Sequence, residues 1–247
     1  MPDTPTTPPS NDQPAKDEPV FAAGARGIKR SGHIALVGRP NVGKSTLLNA
    51  LLGQKISIVT PKPQTTRQRA LGIKQVGDSE LIFVDTPGIH KQQKHALNRH
   101  MNRAATSILN DVDLVLWLIE GEKWTSEDEN VLSELERCNV PVGLAINKVD
   151  LVRDKQQLLP VLQRHATRRP FAFVIPISAH KGSNLDELET EMIKMLPGSE
   201  AMYPEDQVTD ISSRFLAAEL IREKLLNVLA FVTKPTFLSV KREVVSK

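Results

Sequence analysis

Apolar positions recur along this chain with two periods, one typical of β-strands and one typical of helices. Six apolar runs predict strands: HIALVG, RALGIKQV, ELIFVDT, DLVLWLI, VPVGLAIN and FAFVIPIS. Five amphipathic stretches predict helices: GKSTLLNALLG, HALNRHMNRAATSIL, TSEDENVLSELERC, DKQQLLPVLQRHA and SNLDELETEMIKML. This alternation, from Ser31 to about Leu196, favours an α/β domain in which helices cover a mostly parallel, six-stranded sheet. In the last helix, Asn184 and Glu187 predict a capping box.

The chain divides into four parts. Residues 1–30 are rich in Pro, Asp and Thr and predict a disordered tail, and residues 31–198 form the α/β domain. Residues 199–210 show no periodicity and predict a linker, and residues 211–247 begin with a helix in ISSRFLAAELIREKLLNVL. The apolar positions of this helix are Ile211, Phe215, Ala218, Ile221 or Arg222, Leu225 and Leu229.

Composition excludes several classes of protein. With 247 residues, 40% of them apolar, the chain can bury a sizeable core. A formal net charge of only +3 does not suit a dedicated nucleic-acid coat. The single cysteine, Cys138, excludes an internal disulfide framework, and its place on the apolar side of a predicted helix indicates a core thiol. No apolar run approaches the roughly 20 residues that span a bilayer, so the sequence predicts no integral membrane protein.

The motif GRPNVGKS, Gly38 to Ser45, follows a predicted strand and opens a predicted helix. In that context G-x-x-x-x-G-K-[ST] predicts a phosphate-binding loop, or P-loop, rather than a glycine-rich turn with a solvated lysine. Its backbone N–H groups wrap an anion, Lys44 reaches the β- and γ-phosphates, and Ser45 ligates Mg²⁺. The nucleotide-binding candidates here are Gly38, Asn41, Gly43, Lys44, Ser45 and Thr46.

The motif DTPG follows the strand ELIFV, which places Asp85 at the carboxyl edge of the sheet, where it can reach Mg²⁺ through a water molecule. Gly88 offers a backbone N–H to the γ-phosphate. Taken alone, DTPG is also compatible with a simple turn. In the preceding loop PKPQTTRQRA, a threonine predicts a further Mg²⁺ ligand that senses the γ-phosphate, and Thr66 is preferred over Thr65. A solvated basic loop is the alternative.

The motif NKVD, Asn147 to Asp150, predicts guanine recognition. The Asp150 carboxylate can accept hydrogen bonds from guanine N1–H and N2–H₂, a pair of donors that adenine lacks. Lys148 can lay its stem over the base, and Asn147 can tie this loop to the P-loop. Ser178 and Ala179 follow the last strand, where a backbone N–H can meet guanine O6. The set predicts a GTP site rather than an ATP site.

Other conspicuous residues favour structural roles. His90, His95 and His100 are five residues apart, which does not place two of them on one helical face as a metal pair needs, so they predict a polar surface. Trp117 and Trp124 are assigned to the core and to the entrance of a helix.

The P-loop motif, DTPG, NKVD and the Ser178–Ala179 pair follow one another along the chain in this order. With these four elements, the chain resembles bacterial Era-type GTPases, over about residues 31–226. The resemblance is carried by GRPNVGKSTLLNALLGQKISIVTPKPQTTRQRALGI, DTPGIH, NKVD and SAHKG. It implies a translation-factor-class GTPase with a Ras-like G domain that binds GTP, GDP and Mg²⁺ and assists assembly of the small ribosomal subunit. It also implies a KH domain that binds 16S ribosomal RNA, and peripheral contact with the inner membrane. We expect a monomer in the cytoplasm.

The C-terminal part departs from this family. A KH domain clamps nucleotides with a GXXG loop, whereas the last glycine of this chain is Gly198. After about Leu226 the sequence neither resembles the family nor alternates as strands would. We therefore expect a truncated KH-like remnant, whether from a truncated gene product, a reading-frame error or a real short form. Two functions stay open: a GTPase acting on the small subunit, and a guanine-nucleotide-binding module that has lost ribosomal RNA binding.

Ile89 stands where many GTPases keep a water-orienting glutamine. The resemblance implies a family with an apolar residue here, in which backbone, solvent or a partner positions the water. By the same resemblance, Asn41 implies a potassium ion held against the phosphates, where it neutralises developing charge. We therefore expect slow intrinsic hydrolysis that is faster in potassium than in sodium.

Overall fold

The fold is that of a computed structural model, which describes residues 30–59, 70–85, 111–121, 123–152, 156 and 158–232. The strands are β1 (Arg30–Val37), β2 (Ala70–Val76), β3 (Ser79–Asp85), β4 (Leu114–Glu120), β5 (Val142–Asn147) and β6 (Phe173–Pro176). The helices are α1 (Lys44–Leu52), α2 (Ser126–Leu135), α3 (Leu158–Ala166), α4 (Leu185–Met195) and α5 (Ser213–Val232), and Val149–Leu151 form a 3₁₀ turn. The second predicted helix, HALNRHMNRAATSIL, lies outside the described residues.

The six strands form one sheet in the order β2-β3-β1-β4-β5-β6. β1 pairs in parallel with both β3 and β4, and β5 pairs in parallel with β4 and β6. Only β2 runs antiparallel, because it joins β3 through a tight turn at Gly77, where φ is 56°. The predicted α/β class and mostly parallel six-stranded sheet are confirmed.

Hydrophobic clusters cover both faces of the sheet because successive residues of a buried strand point to opposite sides. On β1, Ile34 and Leu36 join the cluster that includes the buried leucines of α1 and α4, whereas Ala35 and Val37 join the cluster that includes α2. Trp117 lies fully buried in the second cluster. This packing fixes the carboxyl ends of the parallel strands along one edge.

Two local predictions are corrected. Asn184 does precede α4, but its backbone is left-handed, with φ at 59°, and its Nδ2 donates to the Pro176 carbonyl at 2.7 Å instead of closing a capping box. The described capping box lies at α2, where the Asp128 carboxylate accepts hydrogen bonds from the backbone N–H and hydroxyl of Thr125. Arg30, assigned to the N-terminal tail, begins β1 and donates to carbonyls at the end of α4.

The segment between α4 and α5 is held against the sheet rather than left free. Residues 199–210 contain no helix or strand. Yet the backbone N–H of Met202 donates to the Glu80 carboxylate at 2.8 Å, and the Thr209 hydroxyl donates to the Leu71 carbonyl at 2.7 Å. Because β2 is an edge strand, this segment covers part of an otherwise open edge.

Helix α5 contacts the α/β domain through a face that its apolar pattern did not predict. Glu223 is buried and pairs with Lys55 at 2.7 Å, and Leu216 packs against the first hydrophobic cluster. Ile221 and Leu225, assigned to the apolar stripe, are 62% and 57% exposed. The identity of this helix as the start of a KH-like domain stays a prediction, and residues 233–247 lie outside the described residues. None of the helices in the described ranges is long and apolar enough to cross a membrane.

Candidate functional site

Four loops meet at the carboxyl edge of the sheet. The P-loop follows β1, Asp85 ends β3, Asn147 ends β5, and Ser178 follows β6. Since ligands of α/β folds bind outside the carboxyl ends of the strands, this edge is the candidate site. Topology therefore brings together residues that lie more than 100 positions apart in sequence.

The two P-loop glycines occupy positions that a side chain cannot. Gly38 has φ at 151°, and a Cβ there would lie 2.5 Å from the Leu118 carbonyl oxygen. Gly43 has φ at 110°, and a Cβ there would lie 2.3 Å from Asn147 Nδ2. Both positions therefore combine a backbone conformation that L residues avoid with a close approach of neighbouring atoms. This is the backbone geometry that lets successive N–H groups face an anion.

Lys44 is the first residue of α1, followed by Ser45 and Thr46, so all three stand at the positive end of a helix. The Lys44 side chain is buried, and its Nζ donates to the carbonyls of Gly38 at 2.8 Å and Arg39 at 3.0 Å. Burial is the main reason that the pKa of Lys44 falls from 10.5 to about 8, an effect opposed by the carboxylate of Asp85.

We expect GDP affinity to fall as pH rises through the pKa of Lys44. Bound phosphates favour the charged ammonium and raise its pKa, so the contribution of Lys44 to binding is complete well below pH 8 and is lost progressively as the pH rises through and above it. Between pH 7 and pH 8.5 the affinity should drop about fourfold, the ratio of the free protonated fractions. Calorimetry in two buffers of different ionisation enthalpy checks this through net proton uptake. In Lys44→Arg the dependence should vanish, and a flat profile in the unmodified protein would contradict the assignment.

Asp85 is fully buried at the end of β3, where the Ser57 hydroxyl donates to its Oδ2 at 3.0 Å. Ser57 is itself held by Asn49, whose Oδ1 accepts the N–H groups of Ile56 and Ser57 at 3.0 and 2.9 Å. Sequence reasoning missed Ser57 and Asn49, because neither belongs to the P-loop motif, DTPG or NKVD. The helical position of Asn49 gives no sign that its side chain braces the loop after α1.

Three residues predicted for this side of the site, Thr66, Gly88 and Ile89, lie outside the described residues, as do Thr65 and the histidines 90, 95 and 100. The predicted roles therefore stay predictions: Thr66 as an Mg²⁺ ligand, Gly88 as a donor to the γ-phosphate, and Ile89 in place of the catalytic glutamine. Within the described part of the chain, no cluster of three or more His, Cys, Asp or Glu residues suits a metal ion.

Asn147 joins three loops through one carboxamide. Its Nδ2 donates to the Val42 carbonyl at 2.8 Å, and its Oδ1 accepts the Ala179 N–H at 3.0 Å. The predicted tie between the NKVD loop and the P-loop is therefore present. In this structure the Ala179 N–H donates to Asn147. Donation of a backbone N–H at Ser178 or Ala179 to guanine O6 therefore stays a prediction.

Asp150 lies in the 3₁₀ turn after β5, and the Ser178 hydroxyl donates to its Oδ1 at 2.6 Å. Asp150 is exposed at the carboxyl edge, so its carboxylate is oriented but remains accessible. Lys148 has a left-handed backbone, with φ at 62°, and its Nζ donates to the Asn41 carbonyl at 2.9 Å. The Lys148 stem therefore spans from the NKVD loop to the P-loop, and its position over a base stays a prediction.

The tryptophans take the roles predicted for them. Trp124 precedes α2, meets Trp117 edge to face at 5.7 Å between ring centroids, and carries the Arg168 guanidinium 3.6 Å above its ring. Cys138 is half-buried at the margin of the second hydrophobic cluster, so it is a core-edge thiol rather than a fully buried one.

Sequence comparison gives a consistent result. A family model described as 50S ribosome-binding GTPase matches residues 33–148. GTPase Era of Ectopseudomonas mendocina is 54% identical over 202 residues, which cover 82% of this chain and 68% of that protein. GTPase Era of Pseudomonas aeruginosa is 52% identical over 200 residues, which cover 81% of this chain and 66% of that protein. The chain thus spans about two thirds of the length of these relatives.

Solved structures of Era proteins are also similar to this chain. Era in complex with MgGDPNP and nucleotides 1506–1542 of 16S ribosomal RNA matches with a TM-score of 0.76 and 43% identity, covering 79% of this chain and 67% of that chain. A tyrosine-to-alanine variant of Aquifex aeolicus Era bound to GDP·AlF₄⁻ matches with a TM-score of 0.75 and 43% identity, covering 79% and 66%. Both similar proteins carry guanine nucleotides.

Proposed function

Because the chain belongs to the Era family of GTPases, we propose that it binds GTP and GDP at the carboxyl edge of its sheet and hydrolyses GTP with Mg²⁺ as a switch in small ribosomal subunit assembly. The observation that carries this proposal is the Asn147 clamp, which joins a phosphate-binding loop to a guanine-recognition loop. We assign the nucleotide site to residues 31–198 and treat α5 as the start of a KH-like element.

The residues present suit a nucleotide with Mg²⁺. Lys44 and the P-loop N–H groups neutralise charge on the β- and γ-phosphate oxygens, and the burial of Lys44 strengthens that attraction. Ser45, Thr66 and, through a water molecule, Asp85 would hold Mg²⁺, which prefers such oxygen donors. The bound ion supplies positive charge against the charge that develops on the transferred phosphoryl group.

Water positioning differs from that of GTPases with a catalytic glutamine. The apolar Ile89 cannot orient water, so we assign this task to backbone groups, to solvent or to a partner. We also propose that Asn41 helps to hold a potassium ion beside the phosphates. Its left-handed backbone, with φ at 58°, and its exposure in the P-loop support this placement.

GTP hydrolysis should be at least about tenfold faster in potassium chloride than in sodium chloride of equal ionic strength, because the cation offsets charge in the transition state. Single-turnover hydrolysis measures the ratio directly. Asn41→Gly keeps the backbone carbonyl that binds Lys148 and tolerates the positive φ, so it should remove the difference without unfolding the loop. Equal rates in the two salts would refute the potassium part of the proposal.

The ribosomal partner is the small subunit. The description of the family model names the 50S subunit, but that model covers only residues 33–148. The solved Era structure that covers 79% of this chain holds a fragment of 16S ribosomal RNA, which belongs to the small subunit. The match to the Era structure covers more of this chain than the family model, and it supports the small subunit as partner. We also propose a monomer in the cytoplasm, and peripheral contact with the inner membrane stays an implication of the resemblance.

Co-sedimentation of the purified 247-residue chain with small ribosomal subunits tests this partner, in the presence of GDPNP, GDP or no nucleotide. Retention that depends on GDPNP, together with GTP hydrolysis, supports the switch. Hydrolysis without retention would favour the second function, a guanine-nucleotide module without ribosomal RNA binding. Large subunits serve as the matched control, and preferential retention on them would reverse the choice of partner.

A further inference from the structure

A network of charged side chains lies beside the two nucleotide loops, and none of the site motifs explains it. At its centre is Glu120, the last residue of β4, which pairs with Asn147 across the sheet. Glu120 Oε2 lies 2.7 Å from Arg39 Nη2 and 3.1 Å from Lys148 Nζ. Its Oε1 accepts a hydrogen bond from Lys123 at 3.0 Å.

Two of these cations belong to different nucleotide loops. Arg39 is the second residue of the P-loop motif, and its carbonyl accepts a hydrogen bond from Lys44. Lys148 is the second residue of NKVD, and its Nζ also donates to the Asn41 carbonyl. A single oxygen of Glu120 therefore bridges the loop that holds phosphates and the loop that holds the base. Lys148 is held between a P-loop carbonyl and a carboxylate, which leaves its stem little rotamer freedom.

The bridge lies in surroundings that make it strong. The side chains of Arg39 and Glu120 are only 13% and 12% exposed, so water and salt screen their attraction weakly. Burial acts to raise the pKa of Glu120, but hydrogen bonds from Lys123 and Lys148 and the charges of Lys148 and Arg39 outweigh it and lower that pKa to about 2. Glu120 is therefore ionised throughout the physiological pH range.

A second carboxylate holds Arg39 from the other side, but it is the weaker partner. Asp128 Oδ2, which is fully buried at the start of α2, lies 3.3 Å from Arg39 Nε. Burial raises the pKa of Asp128 despite hydrogen bonds from Thr125 and the charge of Arg39. Asp128 and its helix thus limit the movement of Arg39, whereas only Glu120 also reaches Lys148.

We propose that Glu120 is a positioning residue for guanine-nucleotide binding, which sets the spacing between the P-loop and the base-binding stem of Lys148. The inference rests on the proposed nucleotide site. Glu120 acts through Lys148 and Arg39 and contacts no phosphate in this role. It therefore governs how tightly the nucleotide is held rather than how fast a bound GTP reacts.

The isosteric variant Glu120→Gln tests this, because it keeps the side-chain shape and removes the charge that both cations need. We expect the dissociation constant for fluorescently labelled GDP to rise about tenfold, mainly through faster release, while single-turnover hydrolysis of saturating GTP changes less than about twofold. Glu191→Gln, which removes an exposed pair with Lys194 on α4, is the matched control and should change neither quantity.

A double-mutant cycle separates positioning from a general structural role. In a Lys148→Met background, Glu120→Gln should raise the dissociation constant by less than about twofold, since its main route to the base is gone. Equal effects of Glu120→Gln in both backgrounds, or unchanged GDP affinity in the single variant, would overturn the inference. If the unmodified protein bound no GDP, the proposed function itself would fail, and that result is distinguishable because it needs no variant.

Discussion

Replacing Asp150 with asparagine will weaken GTP binding by at least about a hundredfold and will create affinity for XTP. In the proposed site the Asp150 carboxylate accepts hydrogen bonds from two guanine donors, whereas an asparagine amide presents one donor and one acceptor. Its NH₂ then faces guanine N2–H₂, two donors with no acceptor between them. Xanthine carries a carbonyl at that position and keeps N1–H, so it matches the amide. Competition of GTP and XTP against fluorescently labelled GDP and XDP measures both changes.

Ser178→Ala is a milder variant that serves as the control for this exchange of specificity. It removes the hydroxyl that orients Asp150 Oδ1 at 2.6 Å but keeps the carboxylate. We expect about tenfold weaker GTP binding with no gain in XTP affinity, because the acceptor pair remains but is less well oriented. An Asp150→Asn protein that still prefers GTP to XTP would refute the assignment of Asp150 as the base-selecting residue.

Replacing Gly43 with alanine will reduce GDP affinity by more than about a hundredfold, because the new methyl group must displace Asn147. A Cβ at Gly43 would lie 2.3 Å from Asn147 Nδ2, and φ at 110° is unfavourable for alanine. Moving Asn147 breaks its hydrogen bonds to Val42 and Ala179, so the phosphate loop and both base loops lose their common brace. Isothermal titration with GDP measures the affinity, and thermal unfolding measures the accompanying loss of about 2 kcal/mol.

Gly77→Ala is a matched control, since Gly77 also has a positive φ, at 56°, but a Cβ there meets nothing within 4 Å. Both variants carry the backbone penalty of about 1 kcal/mol, whereas only Gly43→Ala meets the clash. GDP affinity should therefore be unchanged in Gly77→Ala. Equal affinities in the two variants would show that the close approach of Gly43 to Asn147 does not control nucleotide binding.

Much of the fold was predictable because its signals are local. A strand or a P-loop is encoded within ten residues, and a buried parallel strand such as β4 is apolar along almost its whole length. The order of the motifs then placed Lys44, Asp85, Asn147 and Asp150 at one edge, since carboxyl ends of parallel strands meet there. Local spacing failed where a side chain had two possible partners, as at Asn184, whose amide binds the Pro176 carbonyl across the turn.

The sequence by itself determined the class of fold, the order of the nucleotide motifs and the family resemblance, because each depends on neighbouring residues. Only the tertiary structure decided which distant side chains support those motifs. Glu120 and Ser57 belong to none of the nucleotide-binding motifs. In the structure, Glu120 pairs with Lys148, and Ser57 donates a hydrogen bond to Asp85. It also decided that the exposed side of α5 carries Ile221. Such contacts join residues from separate strands and helices, so they depend on packing that no local pattern records.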